Sequence, residues 1–386
     1  MFDLLDYATL KFVWWILVGV LLMGFAITDG MDMGVGVLLP FVARTDAERR
    51  IAINTVGPHW DGNQVWLITA GGAIFAAWPA VYAAAFSGFY MAMLLVLFAL
   101  FFRPVGFDYR SKIDDTLWRS AWDWGLFVSG AVPALIFGVA FGNLLQGVPF
   151  HLDDMLRSHY QGSLLTALLP LLNPFALLAG VISLGMLTVH GALWLQLRAD
   201  DPVASRARKT TVALAPVVAL LFLGAGVWLW FGVDGFRVVS APPHDAASNP
   251  LAKEVARVAH AWFDIYAVVP AAKAAPVAGV LGPIVAGLLA SARRPGLGFV
   301  ANAFGMVGII GSAGLSMFPF IMPSSIDPRS SLTIWDAASS HFTLTVMFVA
   351  AAILLPIVLG YTIWCYARMW GRVTADQIEA QSHSAY

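Results

Sequence analysis

The sequence predicts an all-α, polytopic membrane protein, and three observations lead to that prediction. Hydrophobic residues make up 59% of the 386 residues, whereas charged residues make up only 12%, about half of their usual share in soluble domains. A single soluble core could not enclose that much apolar surface. Apolar runs of about 20 residues, the length of a spanning helix, also recur along the whole chain.

Nine apolar runs are long enough to cross a bilayer within a single membrane domain that covers residues 1–386. Runs two and three are continuous in hydropathy, and Pro79 with the small residues around it predicts a tight turn between them. Asp3 and Asp6 precede the first run without any positive charge, so that run is predicted to be a retained span rather than a signal peptide. The nine predicted spans lie near residues 10–28, 62–79, 81–102, 121–144, 174–196, 211–232, 263–289, 298–320 and 341–367.

The distribution of Lys and Arg predicts the orientation of these spans. The loops that follow spans one, three, five, seven and nine carry most of the basic residues, and the alternate loops carry few. Because basic loops stay in the cytoplasm, we expect the N-terminus outside and the C-terminus in the cytoplasm. An eight-span arrangement would break this alternation. The two large polar loops, 145–172 and 233–262, then lie outside.

Several function classes are excluded by composition. A net charge of −1 gives no basic field for nucleic acid. The single cysteine, Cys365, excludes an internal disulfide, a cysteine zinc site and a four-thiolate iron–sulfur cluster carried by this chain alone. No P-loop, nucleophile elbow or zinc-protease motif occurs.

Polar residues concentrate at the predicted cytoplasmic ends of the first four spans. A charge in the hydrocarbon layer costs at least about 3 kcal/mol, so each is a functional candidate. Asp29 and Asp32 are three residues apart and share a face if the helix continues to that point; Asp61 and Gln64 have the same spacing. We expect a polar cleft that passes protons, walled by Trp60, Trp66 and Phe102. The remaining candidates are His59, Asn63, Arg103, Asp108 and Asp123.

The same residues are open to structural interpretations. Asp29, Asp32 and Asp61 are equally compatible with an ion-pair network in which Arg103 holds three helices together. Asp108, Asp114, Asp115 and Asp123 are better explained as interfacial or solvated carboxylates. His190 is the one histidine deep in a span, and a lone histidine is more often a hydrogen-bonded structural group than a haem ligand.

A second functional class is a secondary transporter that uses Asp29, Asp32 and Asp61 to bind coupling ions. Transporters often show internal repeats and broken helices near the middle of the membrane. The sequence shows neither clearly, and its charges gather near one face. A purely structural assembly partner is a third interpretation.

Six stretches carry a resemblance to a known family. They are GFAITDGMDMGVG, PHWDGNQVWLITAGGAIFAAWP, FRPVGFDYRSK, GVAFGNLLQGVPF, MFPFIMPSS and SLTIWDAASS. In residue identity, order and spacing they resemble the signature stretches of subunit II of cytochrome bd-type quinol oxidases. The resemblance extends from the first span to the start of the last.

The resemblance implies a fold of two four-helix bundles plus one peripheral helix, in the bacterial cytoplasmic membrane. It implies a complex that oxidises quinol, with ubiquinol as the expected substrate, and reduces oxygen to water with cytoplasmic protons. Haem d and two b-type haems are expected in subunit I, on which this chain packs without supplying a haem ligand. Some members also hold a structural quinone, and small accessory subunits and membrane lipids are further expected partners.

The resemblance also implies roles for individual residues. Asp61 matches the family's proton-path aspartate, and Asp29 and Asp32 belong to the same polar neighbourhood near the entrance. Trp60 and Arg103 are expected to support the nearby haem region. His59 and Gln64 are expected to support the proton path.

Overall fold

The computed structural model describes residues 5–160 and 168–380; Asp3 and part of the predicted outer loop 145–172 lie outside these ranges. Within them the chain is mainly helical, with three small antiparallel hairpins. The helices are α1 (Tyr7–Val42), α2 (Asp46–Asn54), α3 (Trp60–Ala77), α4 (Pro79–Gly88), α5 (Tyr90–Tyr109), α6 (Thr116–Gln146), α7 (Leu168–Leu171), α8 (Pro174–Arg198), α9 (Val203–Gly232), α10 (Ile265–Val268), α11 (Ala274–Ser291), α12 (Pro295–Met317), α13 (His341–Arg368) and α14 (Ala375–Ala380). The hairpins pair β1 (Phe150–Leu152) with β2 (Ser158–Tyr160), β3 (Gly235–Ser240) with β4 (Glu254–Val258), and β5 (Phe320–Met322) with β6 (Leu332–Thr333).

Eight helical segments in the described ranges are long and apolar enough to cross a membrane. They are α1, α5, α6, α8, α9, α11 with its preceding 3-10 turn, α12 and α13. The predicted span 62–79 is also helical, as α3, but its first turn carries Asp61, Asn63 and Gln64 and makes it less apolar. The predicted turn before Pro79 is confirmed as a break, because Trp78 leaves the helical conformation and Pro79 begins α4.

Several observed helices extend past the predicted ends. Helix α1 continues to Val42, so its 36 residues measure about 54 Å, well beyond the roughly 30 Å of hydrocarbon. Asp29 and Asp32 therefore lie inside this helix and not at its end. Helix α5 likewise continues past Arg103 to Tyr109. The predicted span 263–289 begins later than expected, since short turns occupy the residues before Ala274.

Helix α8 is the centre of the packing. It contacts α1, α6, α9 and α12, while α1 also packs against α3 and α6, and α5 packs against α6. Helix α11 joins α9 and α12 on the far side of α8. Helix α13 lies at the edge, where it touches α1 and α3, and most of its surface is exposed.

Close backbone contacts between α1 and its neighbours depend on glycine. A Cβ added to Gly34 would lie 2.1 Å from the Leu187 carbonyl oxygen and 2.8 Å from the Gly191 nitrogen of α8. A Cβ on Gly36 would lie 2.8 Å from the Leu126 carbonyl oxygen of α6. Small residues of this kind are typical of helix contacts in membranes. Another backbone thus comes close at these two glycines, whereas Gly30 meets mainly a Leu187 side chain.

The three hairpins gather at the end of the molecule where α1 begins. The fully buried Lys11 ammonium group donates hydrogen bonds to the carbonyls of His244, Ala246 and Trp335 at 2.6–3.1 Å. It fixes the segment between β3 and β4 to the segment that leads into α13. Lys253 and Asp336 form an ion pair there at 3.0 Å.

Candidate functional site

The centre of the candidate site is an ion pair between α1 and α5. Arg103 donates from Nη1 to Oδ1 of Asp29 at 2.5 Å, and both side chains are almost fully buried. The opposite half of each group, Oδ2 of Asp29 and Nη2 of Arg103, has no hydrogen-bond partner within the described chain. Buried polar atoms of this kind normally bind water or a partner group.

Asp32 lies one turn further along α1 and is bound by α3. Asn63 donates from Nδ2 to Oδ2 of Asp32 at 2.7 Å and also to Nδ1 of His59 at 3.2 Å. Oδ1 of Asp32 is buried without a partner. We call Asp29, Asp32, Asn63 and Arg103 the buried carboxylate cluster; it ties α1, α3 and α5 together.

His59 in the turn between α2 and α3 supports this cluster as a neutral imidazole. Its Nε2 donates to the Thr55 carbonyl at 3.1 Å, which leaves Nδ1 as the acceptor for Asn63. Burial, with the nearby Arg198 guanidinium adding to it, lowers the pKa of His59 to about 4. The 3.8 Å approach of Nδ1 to Asp32 is therefore a contact with a neutral ring and not an ion pair.

Asp61 is not part of the buried carboxylate cluster. It is exposed on α3, on the same face as Val65 and Ile68, whereas Asn63 is buried. Two residues correspond to about 200° of helical rotation, so Asp61 and Asn63 point to opposite sides. The expected common neighbourhood of Asp61 with Asp29 and Asp32 is wrong for this chain on its own.

The aromatic walls of the predicted cleft also separate. Trp60 packs on Phe107 with ring centroids 5.5 Å apart. The ring of Trp66 covers Gly24 of α1. Phe102 is 42% exposed. These three rings do not enclose one cleft, because they leave α3 and α5 in different directions. Gln64, a further predicted site residue, is half-buried near the start of α3.

The remaining carboxylates near these helix ends have structural roles. Asp123 is buried between Arg110 at 2.6 Å and Arg49 at 2.7 Å. Asp114 pairs with Arg119, and Asp115 caps α6. Asp108 is exposed. Asp108 and Asp114 are solvated as expected, whereas Asp123 is buried in an ion-pair network and not in contact with solvent.

His190 is a structural group at the contact of α8 with α1 and α12. Its Nε2 donates to the Ile27 carbonyl at 3.0 Å, and its Nδ1 accepts from Asn302 at 3.2 Å. Since both ring nitrogens bind protein groups, this histidine is not arranged as an axial haem ligand. Within residues 5–160 and 168–380 no group of three or more His, Cys, Asp or Glu side chains could hold a metal ion.

The contact of Asn63 with Asp32 and the participation of Tyr366 were not predicted from the sequence. Asn63 was noted only as one polar residue among several, yet it makes the contact with Asp32. Tyr366, in the last turns of α13, donates to Oδ1 of Asn63 at 2.6 Å. These residues lie 303 positions apart in the chain, and no local pattern connects them.

Comparisons with known proteins agree with this architecture. A profile of the family described as cytochrome bd terminal oxidase subunit II matches residues 10–369. The Escherichia coli K12 protein named cytochrome bd-I ubiquinol oxidase subunit 2 is 55% identical over 383 residues, which cover 99% of this chain and all of that protein. The Bacillus subtilis cytochrome bd ubiquinol oxidase subunit 2 is 33% identical over 93% of this chain and 95% of that protein.

A solved structure supports the fold. A chain of the bd oxidase from Geobacillus thermodenitrificans superposes with a TM-score of 0.63 and 17% identity, over 93% of this chain and 98% of that chain. The sequence matches cover nearly the whole chain, and its long apolar helices suit a bilayer. The chain therefore belongs to the cytochrome bd terminal oxidase subunit II family, which makes it a multi-pass protein of the bacterial inner membrane and a subunit of an oxidoreductase complex.

Proposed function

We propose that this chain is the non-haem-ligating subunit of a quinol:oxygen oxidoreductase that oxidises ubiquinol and reduces oxygen to water. The family match and the printed names of the E. coli and B. subtilis relatives support this reaction. In the complex, haem d and two b-type haems belong to subunit I. The engagement of both nitrogens of His190 supports that division.

The chain crosses the membrane nine times in this proposal, with α3 as the second span. In this proposal α1, α3, α5 and α6 form one bundle and α8, α9, α11 and α12 form the other, and the contacts of α13, which are mainly with α1 and α3, support its peripheral position. The basic loops support a cytoplasmic C-terminus. The hairpin end of the molecule then lies outside, and the buried carboxylate cluster lies nearer the cytoplasm.

Subunit I covers the exposed face of α3 and α5. That face is strongly apolar, and by itself an apolar face is compatible with membrane lipid as its cover. However, it also includes the carboxylate of Asp61. A carboxylate facing lipid is costly, so a protein partner is the better cover. Small accessory subunits and lipids cover the other apolar faces. The exposed apolar residues on α3 are Val65, Ile68 and Phe75, and those on α5 include Leu97, Phe98, Phe101, Phe102 and Val105.

The chain contributes to proton uptake from the cytoplasm through two groups of carboxylates. Asp61 relays protons at the boundary with subunit I, and Asp29 and Asp32 hold protons inside this chain. Two carboxylates and one guanidinium are electrically neutral when they share one proton, and burial strongly penalises an unbalanced charge. The unpartnered oxygen atoms of Asp29 and Asp32 support an exchangeable, water-linked proton at that position.

Arg103 and Trp60 support haem retention in this proposal by holding α5 and α3 in place against subunit I. Arg103 does so through its ion pair with Asp29. Trp60 does so through its contact with Phe107 on α5. His59 and Gln64 support the start of α3, where Asp61 points away from the buried carboxylate cluster.

This chain is also suited to hold a structural quinone. A cavity of about 640 Å³ lies among α1, α6, α8, α9, α11 and α12, and its walls are almost entirely apolar. The Tyr266 and Ser316 hydroxyl groups, 3.0 Å apart, lie in the same lining. An apolar cavity with few polar groups suits a quinone with an isoprenoid tail. Solvent extraction of the washed complex should recover about one quinone beyond the exchangeable pool; recovery of none would contradict this assignment.

The experiment that tests the main proposal is purification of the tagged chain from its own host in mild detergent, with a reduced-minus-oxidised absorption spectrum. Bands of haem d and b-type haem, together with a larger co-purifying subunit, are the expected result. A chain that still purifies without haem or partner after milder extraction would contradict the oxidase. Ion-coupled transport in liposomes would then be the function to measure.

A further inference from the structure

The peripheral helix α13 reaches the buried carboxylate cluster through one hydroxyl group. Tyr366 donates from its phenol to Oδ1 of Asn63 at 2.6 Å, and Asn63 in turn donates to Asp32. The Tyr366 ring also packs against His59 with centroids 4.8 Å apart. A chain of three side chains therefore connects the last helix to a carboxylate inside the first.

The hydrogen-bonding chemistry leaves only one orientation for the Asn63 amide. Its NH2 group has two acceptors, Oδ2 of Asp32 and Nδ1 of His59. The amide oxygen must then face the remaining neighbour, Tyr366, and a carbonyl oxygen requires a donor there. The phenol hydroxyl of Tyr366 is that donor. Without it the amide oxygen would be buried unpaired, and the amide would lose the group that holds its orientation.

The end of α13 is itself fixed against α8, so the position of the phenol is defined. The Arg198 guanidinium contacts the rings of Trp194 and Trp370, 5.3 Å from each centroid. It donates to the Met369 carbonyl at 2.5 Å. Trp194 also donates to the Thr55 carbonyl at 3.0 Å, the same oxygen that binds His59. These contacts fix the positions of His59 and Tyr366, the two partners of Asn63 that lie outside α1.

We propose that Tyr366 is a positioning residue for Asp32: by holding the Asn63 amide, it keeps one Asp32 oxygen hydrogen bonded and leaves the other open for proton exchange. The inference rests on the proposed proton-uptake role of the buried carboxylate cluster. The Tyr366 hydroxyl is connected to Asp32 through Asn63, the hydrogen-bond partner that the described contacts give it. The titratable or charged groups that surround this arrangement are Asp29, His59, Arg103 and Arg198.

The test uses Tyr366→Phe in the complete oxidase, since phenylalanine keeps the ring against His59 and removes only the hydroxyl. Tyr361→Phe is the matched control, because Tyr361 lies on the same helix and is 65% exposed. Turnover per haem is measured across pH, together with the infrared band of the protonated Asp32 carboxyl group. That band is identified by its loss in Asp32→Asn.

With Tyr366→Phe we expect full haem content, a roughly three- to tenfold loss of turnover, a displaced pH profile and a shifted Asp32 band. Tyr361→Phe should leave all four unchanged. An unaltered band and pH profile in Tyr366→Phe, with Asp32→Asn strongly impaired, would overturn the positioning role and leave the proton-uptake role intact. A normal Asp32→Asn enzyme would instead overturn the proton-uptake role itself.

A double-mutant comparison keeps the test decisive if Tyr366→Phe assembles poorly. Turnover per assembled haem is compared among Tyr366→Phe, Asn63→Ala and the combined variant. If Tyr366 acts through Asn63, its substitution costs little more once Asn63 is gone. Losses that multiply in the combined variant would show that Tyr366 acts independently of Asn63, which overturns the inference.

Discussion

Asp61 and Asn63 lie two positions apart in the first turn of α3 and point to opposite sides of that helix. Asn63 is buried and donates to Asp32, whereas Asp61 is exposed on an apolar face. The polar first turn of α3 therefore directs one side chain into this chain and the other to its surface. Substitutions at these two positions should accordingly have separable effects.

The ion pair between Asp29 and Arg103 should stabilise the complex, because each buried charge neutralises the other. Replacing either partner alone leaves a buried unpaired charge, which costs about 3–5 kcal/mol. We expect Asp29→Leu and Arg103→Met each to lower the thermal midpoint and haem content of the purified complex. The combined variant should recover part of that loss. If the combined loss equals the sum of the two, the pair contributes nothing as a pair.

The contact of Gly34 with α8 should tolerate no side chain. Gly34→Ala places a methyl group against the Leu187 carbonyl, and overpacking of this kind typically costs about 1–3 kcal/mol. The expected result is a lower thermal midpoint and weaker assembly. Gly19→Ala on the same helix is the matched control, because a Cβ there has nothing within 4 Å. Equal midpoints for the two variants would refute the close contact.

Acid should weaken the start of α3 through His59. The pKa of His59 in the folded chain is about 4, below its ordinary value of about 6.5. The unfolded chain thus binds a proton more readily, so this contribution is complete above pH 6.5 and is lost as pH falls towards 4. The full loss is about 3 kcal/mol. Thermal midpoints of the complex should fall over this range, and less steeply in His59→Gln; identical slopes would exclude His59 as the cause.

Lys11 should stabilise the hairpin end of the molecule. Lys11→Met leaves three backbone carbonyls without their shared donor, each worth about 1–3 kcal/mol when buried. We expect faster proteolysis of the segment between β3 and β4 in reconstituted complex. The exposed Lys112 provides the control as Lys112→Met. Unchanged proteolysis in Lys11→Met would contradict the fixing role of the ammonium group.

Hydropathy predicted where most of the long helices lie, because lipid requires continuous apolar stretches. The predicted span 81–102 was wrong as one helix, since α4 ends at Gly88 and α5 begins at Tyr90. Hydropathy was not sufficient to predict where the helices end. Helices α1 and α5 continue through Asp29, Asp32 and Arg103, since those charges bind one another and neighbouring helices instead of requiring a helix end in water. The residues of the interior pair were predicted, and their position within the helices was not.

The direction of Asp61 could not be predicted for a different reason. Helical geometry separates Asp61 from Asn63, but only the packing of α3 on α1 decides which of them faces inward. Tyr366 was beyond prediction altogether, because its contact with Asn63 joins two distant segments of chain. The His190 environment was similarly fixed by Ile27 and Asn302 from other helices.

Proton uptake by the reconstituted oxidase is the measurement that tests the central proposal most directly. The complex is placed in liposomes, oxygen is supplied to the reduced enzyme, and proton uptake from the side of the C-terminus is followed in a single turnover. Asp61→Asn should retain haem and slow uptake by at least about tenfold, a barrier increase near 1.4 kcal/mol. The exposed Asp376→Asn should match the parent enzyme. Unchanged uptake in a fully haem-loaded Asp61→Asn complex would contradict the proposed relay.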